Sequence, residues 1–316
     1  MNTQSSVMVT GGAGFIGSHL VDFLLEKGFH VIVYDNLSTG KLNFLKLATT
    51  QSERFKLIHA DLLDQKKLSE SLKNVEIVFH LAANADVRFG LEHPSRDLTQ
   101  NTMATFYLLE AMREQGVKKI VFSSTGSVYG EANVIPTPED APFPIQTSLY
   151  AASKLACEAL ISAYAEGYGV KGYLFRFVSI LGERYTHGHV VDFYKQLTEH
   201  PDRLSVLGNG QQKKSYLYVK DCIEAIWTAL THTNQKINLF NLGTDEYVTV
   251  NDSISAICEV MNVSPQITYS GGERGWVGDN PFIFLDCTRI KSLHWKATHT
   301  IRQSIQKTVH FLQSEG

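Results

Sequence analysis

Thr10-Gly11-Gly12-Ala13-Gly14-Phe15-Ile16-Gly17 comes directly after the short apolar stretch Val7-Met8-Val9. A helical pattern of apolar residues (Leu20, Val21, Phe23, Leu24, Leu25) follows at once and ends at Lys27-Gly28. This order predicts a strand, a glycine turn and a helix. Such a turn lets a phosphate approach main-chain N–H groups at the positive end of the helix, as a backbone must to hold a dinucleotide pyrophosphate. Two glycine registers fit: Gly12, Gly14 and Gly17 match G-x-G-x-x-G, and Gly11, Gly14 and Gly17 match an even three-residue spacing. In a chain with 23 glycines the cluster alone carries little weight. Its place between strand and helix carries the inference.

Phe29-His30-Val31-Ile32-Val33-Tyr34 reads as the second strand, and Asp35 closes it. A carboxylate there accepts hydrogen bonds from the adenosine ribose hydroxyls and repels the 2′-phosphate of NADP, so NAD is the expected cofactor. The plainer alternative is that Asp35-Asn36 is only a polar strand end.

Composition sets the outer bounds. A chain of 316 residues, 43% hydrophobic and 19% charged, is an ordinary globular protein with room for one large domain or two modest ones. A net charge of −3, with no Lys/Arg run longer than two, leaves no footprint for nucleic acid. Cys157, Cys222, Cys258 and Cys287 are far apart and form no C-x-x-C, which points to reduced thiols rather than disulfides or a zinc site. The 12 histidines show no metal-binding spacing, so no metal is expected. Met1-Asn2-Thr3-Gln4 does not open a signal peptide, and no apolar run reaches membrane-spanning length. A cytoplasmic protein without a membrane partner is expected.

Strand-like segments recur at 55–60, 76–81, 119–122 and 170–177, with helical patterns between them, notably at 101–115 and 149–168. The alternation predicts an α/β protein: a doubly wound, Rossmann-type parallel sheet covered by helices on both faces. Beyond the sixth strand the pattern loosens. Residues 187–200, 221–230, 250–261 and 304–313 look helical, and 236–242 look like a strand. The expected division is a dinucleotide-binding domain at 1–175, with return segments near 215–243, and a smaller C-terminal α/β substrate lobe at 176–214 and 244–316.

Tyr150 and Lys154 are four residues apart, so on a helix they share a face. Chance supplies about one such pair in a chain of this composition, and this chain has two, the other being Tyr216 and Lys220. Context separates them. Tyr216-Leu217-Tyr218-Val219 has strand-like composition, which puts Lys220 away from Tyr216. Ser148 is a plausible N-cap for the other pair, and Leu149, Ala152, Ala156, Ala159 and Ala163 form the expected narrow inner face of its helix. The fifth strand runs into Ser123-Ser124-Thr125. Ligands of open α/β sheets bind at the carboxyl ends of strands, so these hydroxyls are expected to face the nicotinamide.

With glycine turn, Asp35, strand-five hydroxyls and helical Tyr-Lys together, the chain resembles the extended short-chain dehydrogenase/reductase family. It resembles most its nucleotide-sugar epimerases of the UDP-galactose 4-epimerase type. The likeness covers nearly the whole chain. It includes 10–20, Asp35-Asn36-Leu37-Ser38-Thr39-Gly40, Phe79-His80-Leu81-Ala82-Ala83, 122–130, 150–154 and Arg274-Gly275-Trp276-Val277-Gly278-Asp279.

The resemblance implies a reversible oxidation at C4 of a nucleotide-diphosphate sugar. Tyr150 takes the proton of the 4-hydroxyl while hydride passes to NAD, Thr125 relays the proton, and the 4-keto sugar turns over before hydride returns. Tyrosine would need its pKa lowered from about 10 to about 7, worth roughly 4 kcal/mol, with Lys154 and the nicotinamide charge as sources. The resemblance also implies the binding set. Gly11, Gly14, Phe15, Ile16 and Gly17 meet the pyrophosphate; Asp35, Asn36, Asp61 and Leu62 meet the adenosine, with Asp61 on the adenine amine. Leu81, Ala82, Ala83 and Ser123 line the cofactor, and Lys154 binds the nicotinamide ribose. Asn101 either joins them or starts a helix. Ser124, Thr125 and Ser179 would touch substrate. Lys214 and Arg274 grip its diphosphate, unless they are ordinary surface charges.

The chain departs from the family pattern in three places. Ser179 stands where Asn is frequent, Lys214 where Arg is frequent, which loses a bidentate grip, and Ile283 at a position bearing on N-acetylated sugars. Gly126 and Ser127 follow Thr125 where dehydratases and decarboxylases usually carry an acid, which argues against elimination. A reductase of the same family and a non-catalytic dinucleotide sensor are the other readings, and the sensor would have no need of Thr125, Tyr150 and Lys154 together. A homodimer through 101–115 and 149–168 is a further expectation of the resemblance.

Overall fold

β-Branched and aromatic runs form strands close to the expected places: β1 (Ser6–Thr10), β2 (His30–Asp35), β3 (Phe55–His59), β4 (Val75–His80), β5 (Lys119–Thr125) and β6 (Lys171–Phe177). The computed structural model describes residues 5–84, 92–143, 145–272 and 282–315. Further on come β7 (Ser179–Leu181), β8 (Arg203–Val206), β9 (Lys213–Lys214), β10 (Tyr216–Tyr218), β11 (Ile237–Leu242), β12 (Val248–Thr249) and β13 (Gln266–Tyr269).

The main sheet has seven strands in the order β11-β6-β5-β4-β1-β2-β3, with helices flanking a parallel sheet of Rossmann type. β1 pairs in parallel with β2 on one side and β4 on the other, so the strand order reverses between β1 and β4. In a doubly wound sheet that reversal opens a crevice at the strands' carboxyl ends. Strands covered on both faces need apolar residues at nearly every position. β4 and β6 are buried almost throughout, whereas edge strand β3 is only half-buried. Met8, Val78, Phe122, Leu108 and Ile161 meet in the core between sheet and helices.

Two compact units emerge: Met1–Val128, Ser148–Arg176 and Ile226–Phe240 in one, and Tyr129–Thr147, Phe177–Ala225 and Asn241–Gly316 in the other. The second has paired strands β7–β10, β9–β12 and β8–β13 rather than one large sheet. Its core gathers Leu181, Val190, Leu204, Tyr216, Ile257 and Ile305. Its helices His189–Glu199, Val250–Met261 and Ile301–Glu315 lie where the apolar pattern puts them. Thr249 and Asp252 cap the second of these reciprocally.

Two expectations about helices change. Asn101 does not start a helix: it lies in a π-helical turn, Leu98–Met103, that leads into the Ala104–Gln115 helix. In the Leu149–Tyr168 helix, Ser148 Oγ accepts from Ala151 N at 3.1 Å as an N-cap should. The inner face, however, is Ala151, Lys154, Cys157, Glu158, Ile161 and Tyr164. Leu149, Ala152, Ala159 and Ala163, expected inside, are exposed, and Ala156 is half-buried. Two buried charges and two large side chains need the interior more than alanines do, and they set the helix's rotation.

The glycine turn is tight at both registers. Gly11 has φ +69°, and a Cβ there would lie 2.7 Å from the Ala82 nitrogen. A Cβ on Gly17 would lie 2.1 Å from the Gly11 carbonyl oxygen. A Cβ on Gly12 would lie 2.7 Å from Val33 Cγ2, so Gly11 and Gly17 are pressed against backbone and Gly12 against a strand side chain. Gly17→Ala should destabilise the protein by about 1–3 kcal/mol through overpacking. Urea unfolding checks this, and an unchanged midpoint would show that the turn relaxes freely.

Candidate active site

The turn after β1 is tied down by backbone and carboxylate together. Gly11 N donates to Tyr34 O at 3.0 Å, and Gly14 N to Gly11 O at 3.1 Å. Asp35, buried at the end of β2, accepts from Ala13 N on Oδ2 at 2.9 Å and from Leu37 N on Oδ1 at 2.8 Å. The carboxylate thus shapes the turn itself, and its two oxygens keep further lone pairs for a diol. Gly14 precedes the Phe15–Glu26 helix without a side-chain cap, so no hydroxyl of the cap residue competes with an anion at this positive helix end. Contact distances at Gly11 and Gly17 that only hydrogen tolerates, a carboxylate at the ribose position and an uncapped helix start fit a dinucleotide.

Beside Asp35, Asn36 Nδ2 donates to Asp61 Oδ2 at 2.8 Å, and Leu63 N donates to Asp61 Oδ1 at 2.9 Å. Leu62 is buried next to them. On the other side of β1, Leu81 N donates to Thr10 O at 3.1 Å, which draws the Leu81-Ala82-Ala83 segment to the glycine turn. His80 is fully inside, its Nδ1 2.7 Å from Thr10 Oγ1 and its Nε2 3.0 Å from Thr105 Oγ1. Burial, then the Lys154 charge, lowers its pKa to about 3, so the ring stays neutral.

Asn101 acts as a junction. Its Nδ2 donates to Ser153 Oγ at 2.9 Å and to Asp97 Oδ1 at 3.3 Å, while its Oδ1 accepts from Asn84 N at 2.8 Å. It links the loop after β4 to the Tyr150–Lys154 turn.

Strand β5 runs through Thr125 instead of stopping before Ser123. Side chains alternate along a strand, so three successive hydroxyls cannot share a face. Ser123 Oγ donates to His80 O at 3.2 Å. Ser124, expected at the substrate, is buried and donates its hydroxyl to Glu158. Thr125 Oγ1 donates to Ser127 Oγ at 3.2 Å and accepts from Ser127 N at 3.1 Å, and its hydroxyl bears on the Tyr150 phenol.

Lys154 is 2% exposed, with Nζ donating to Ser123 O at 2.8 Å and lying 6.0 Å from the Tyr150 ring centre. Burial lowers its pKa to about 8, against the opposing pull of Cys157, Glu158 and Asp97. The Tyr150 phenol is pushed up by burial, and further by Asp97, while the Thr125 hydroxyl opposes the rise. The protein's own groups therefore do not supply the lowered phenol that the family resemblance implies. A further positive charge is needed beside it.

In the second unit, Ser179 is exposed on β7, and Lys214 is half-buried on β9 opposite Val248. Lys214 helps burial hold the nearby His189 at a pKa of about 3. Arg274 and its neighbours through Asp279 lie outside the described residues. Sequence reading missed Asn84, Asp97, His80, Glu158 and Arg176. Glu158 alone left a signal, four residues after Lys154 on the same helical face.

A parallel Rossmann-type sheet with a glycine turn, a strand-end carboxylate and a helical Tyr-Lys pair defines a dinucleotide-dependent enzyme of the short-chain dehydrogenase/reductase class. The NAD dependent epimerase/dehydratase family matches residues 7–243, and the chain belongs to that family of NAD-dependent nucleotide-sugar epimerases. It is 32% identical over 316 residues to a UDP-glucose 4-epimerase of Mycolicibacterium smegmatis, covering 98% of this chain and 99% of the relative. It is also similar to the Thermus thermophilus UDP-glucose 4-epimerase solved with NAD (TM-score 0.87, 31% identity, 98% and 100% covered). A UDP-N-acetylglucosamine 4-epimerase of Methanobrevibacter ruminantium, solved with UDP-N-acetylmuramic acid, is similar too (TM-score 0.89, 28% identity, 99% and 100% covered). The cofactor is NAD.

The buried ammonium carries a cost in stability. Below pH 8 the fold must hold a charge that the unfolded chain keeps in water. Between about 8 and 10.5 the folded state has released the proton and the unfolded state has not, so stability contributed by this site rises with pH. Lys154→Met should therefore stabilise the protein by roughly 1–2 kcal/mol at pH 7, after loss of one hydrogen bond, and by less at pH 9.5. Urea titrations at the two pH values test it. A less stable variant at pH 7 would contradict the account.

Proposed function

We propose that the protein inverts C4 of a UDP-sugar of the glucose/galactose type through a transient 4-keto sugar. The observation that carries this is the Lys154 ammonium on the Ser123 carbonyl at the end of β5, with Tyr150 one turn earlier on the same helix and Thr125 two residues further along the same strand. The similarity to UDP-glucose 4-epimerases supports the nucleotide and the carbon, and Gly126-Ser127 after Thr125 supplies no acid for elimination.

Gly11, Gly14, Phe15, Ile16 and Gly17 would hold the pyrophosphate, Asp35 the adenosine ribose, and Asn36, Asp61 and Leu62 the adenine end. Leu81, Ala82, Ala83 and Ser123 would line the nicotinamide side, with Asn101 bracing that wall. When bound, oxidised NAD supplies a reversible hydride acceptor and a positive charge beside Tyr150 in addition to that of Lys154. Tyr150 then takes the sugar hydroxyl proton through or beside Thr125 and returns it in the reverse step. Lys154 adds a fixed charge under the phenol and binds ribose. The second unit acts as the substrate lobe: Lys214 and Arg274 neutralise the diphosphate and Ser179 touches the sugar nucleotide.

A panel of UDP-, CDP-, GDP- and dTDP-sugars, followed by NMR without added NAD, tests the reading. Interconversion of UDP-glucose and UDP-galactose is expected. Tyr150→Phe should lower turnover by about three orders of magnitude with NAD still bound. Near-normal turnover in that variant, or no C4 inversion of any sugar by the wild type, would overturn it.

The protein is proposed to work in the cytoplasm as a homodimer. Among the described residues no helix is long and apolar enough to cross a membrane. Leu149, Ala152, Ala159 and Ala163 form an exposed low-profile stripe, and Leu98 and Tyr168 add exposed apolar surface in the same unit. Small residues let a second helix approach closely, which suits a helix-on-helix interface. Sedimentation should give a dimer, and Ala159→Arg should convert it to a monomer. A wild-type monomer at micromolar concentration would refute the dimer.

A further inference from the structure

Among the described residues of the first unit is a deeply buried charged pair that the reaction does not use directly. Glu158 and Arg176 are buried, with side chains 6% and 3% exposed, in the Leu149–Tyr168 helix and in β6. Arg176 Nε donates to Glu158 Oε1 at 3.0 Å and Nη2 to Oε2 at 2.6 Å, a two-pronged grip. Ser124 Oγ also donates to Oε1. Burying two charges costs more in desolvation than the pair regains unless geometry and extra hydrogen bonds are good, and apolar replacements of the same volume are often as stable. Stability alone is a poor reason for such a pair at this depth.

Its place suggests another reason. Ser124 is the middle residue of Ser123-Ser124-Thr125. On either side of it, Ser123 gives its carbonyl to Lys154, and Thr125 carries a hydroxyl that bears on the Tyr150 phenol. Fixing the middle side chain on the far face fixes the backbone that carries both groups. Glu158 stands one helical turn beyond Lys154, so the same carboxylate ties strand to helix at the level of the site.

We infer that the Glu158–Arg176 pair, acting through Ser124, is a positioning clamp that sets the end of β5 against the Tyr150–Lys154 turn. This rests on the reading of Thr125, Tyr150 and Lys154 as the catalytic set. Loosening the clamp should let the Ser123 carbonyl drift from the Lys154 ammonium without touching cofactor or sugar contacts. The groups facing Lys154 are Asp97, Cys157, Glu158, Tyr150 and the neutral His80. Ser124→Ala leaves all five in place, so any change in Lys154 titration reports the lost tether.

The test compares wild type, Tyr150→Phe, Ser124→Ala and the donor-retaining Ser124→Thr. Ser124→Ala is expected to lower kcat about tenfold, with KM for UDP-glucose and NAD content within twofold. It should also move the Lys154 titration, read by NMR of 13C-lysine-labelled protein, to lower pH, and Ser124→Thr should restore both. If Ser124→Thr does not fold, Ser124→Cys, which keeps a weaker donor and every charge around Lys154, serves as the second variant and should shift the titration in the same direction but less than Ser124→Ala. An unmoved Lys154 titration in folded Ser124→Ala overturns the clamp, as does an unchanged kcat in an active enzyme. If wild type shows no turnover, the functional reading fails by itself and the NMR titration still decides the clamp.

Discussion

A buried ammonium with one carbonyl partner is the constraint around which this molecule is arranged. Lys154 lies deep in the first unit, donates to Ser123 O and has a pKa of about 8 because burial outweighs the acids near it. Holding it there requires the carbonyl end of β5, the first turns of the Leu149–Tyr168 helix and the loop after β4 to meet within hydrogen-bonding tolerance. Asn101 joins the last two through Ser153 and Asn84, and His80 joins β4 to β1 through Thr10. The polar interior is therefore continuous from the glycine turn to the Tyr-Lys turn. Apart from the Lys154 ammonium and the Asp97 carboxylate, its members are neutral groups hydrogen-bonded to one another, as a low-dielectric interior favours.

The electrostatics explain why the protein alone is not poised for proton abstraction. Burial raises the phenol of Tyr150, and the Asp97 carboxylate raises it further. Lys154 is a weakened cation in the same surroundings. On the proposed reading, Tyr150 would be held as a phenolate only while an oxidised dinucleotide brings its charge, so proton transfer would wait for the hydride acceptor. Asp35 illustrates the same economy of parts, since the carboxylate expected to read the ribose also fixes the turn that reads the pyrophosphate.

Much of the fold was legible along the chain because parallel α/β units write themselves locally. An apolar run, a glycine or polar break and an amphipathic run recur, and the period of each run needs no distant partner. The strand-end Asp35 and the N-cap at Ser148 were legible for the same reason. Asn101 was ambiguous: its π-turn and its bonds to Asn84, Asp97 and Ser153 depend on residues far along the chain. The rotation of the Leu149–Tyr168 helix was misread because small residues resemble a packing seam, while the buried face was claimed by Lys154 and Glu158 seeking Ser123 O and Arg176.

By itself the sequence determined the sheet class, the glycine turn, the dinucleotide and the Tyr150–Lys154 pair, all of which rest on spacings within one or two adjacent elements. Tertiary structure alone decided what each glycine of the turn is pressed against, that Ser124 faces Glu158 rather than the substrate, and that the phenol is raised rather than lowered. Strand alternation and burial are properties of what packs on each face. Those neighbours arrive from β6, from the π-turn and from the loop after β4, at separations along the chain that no local pattern records.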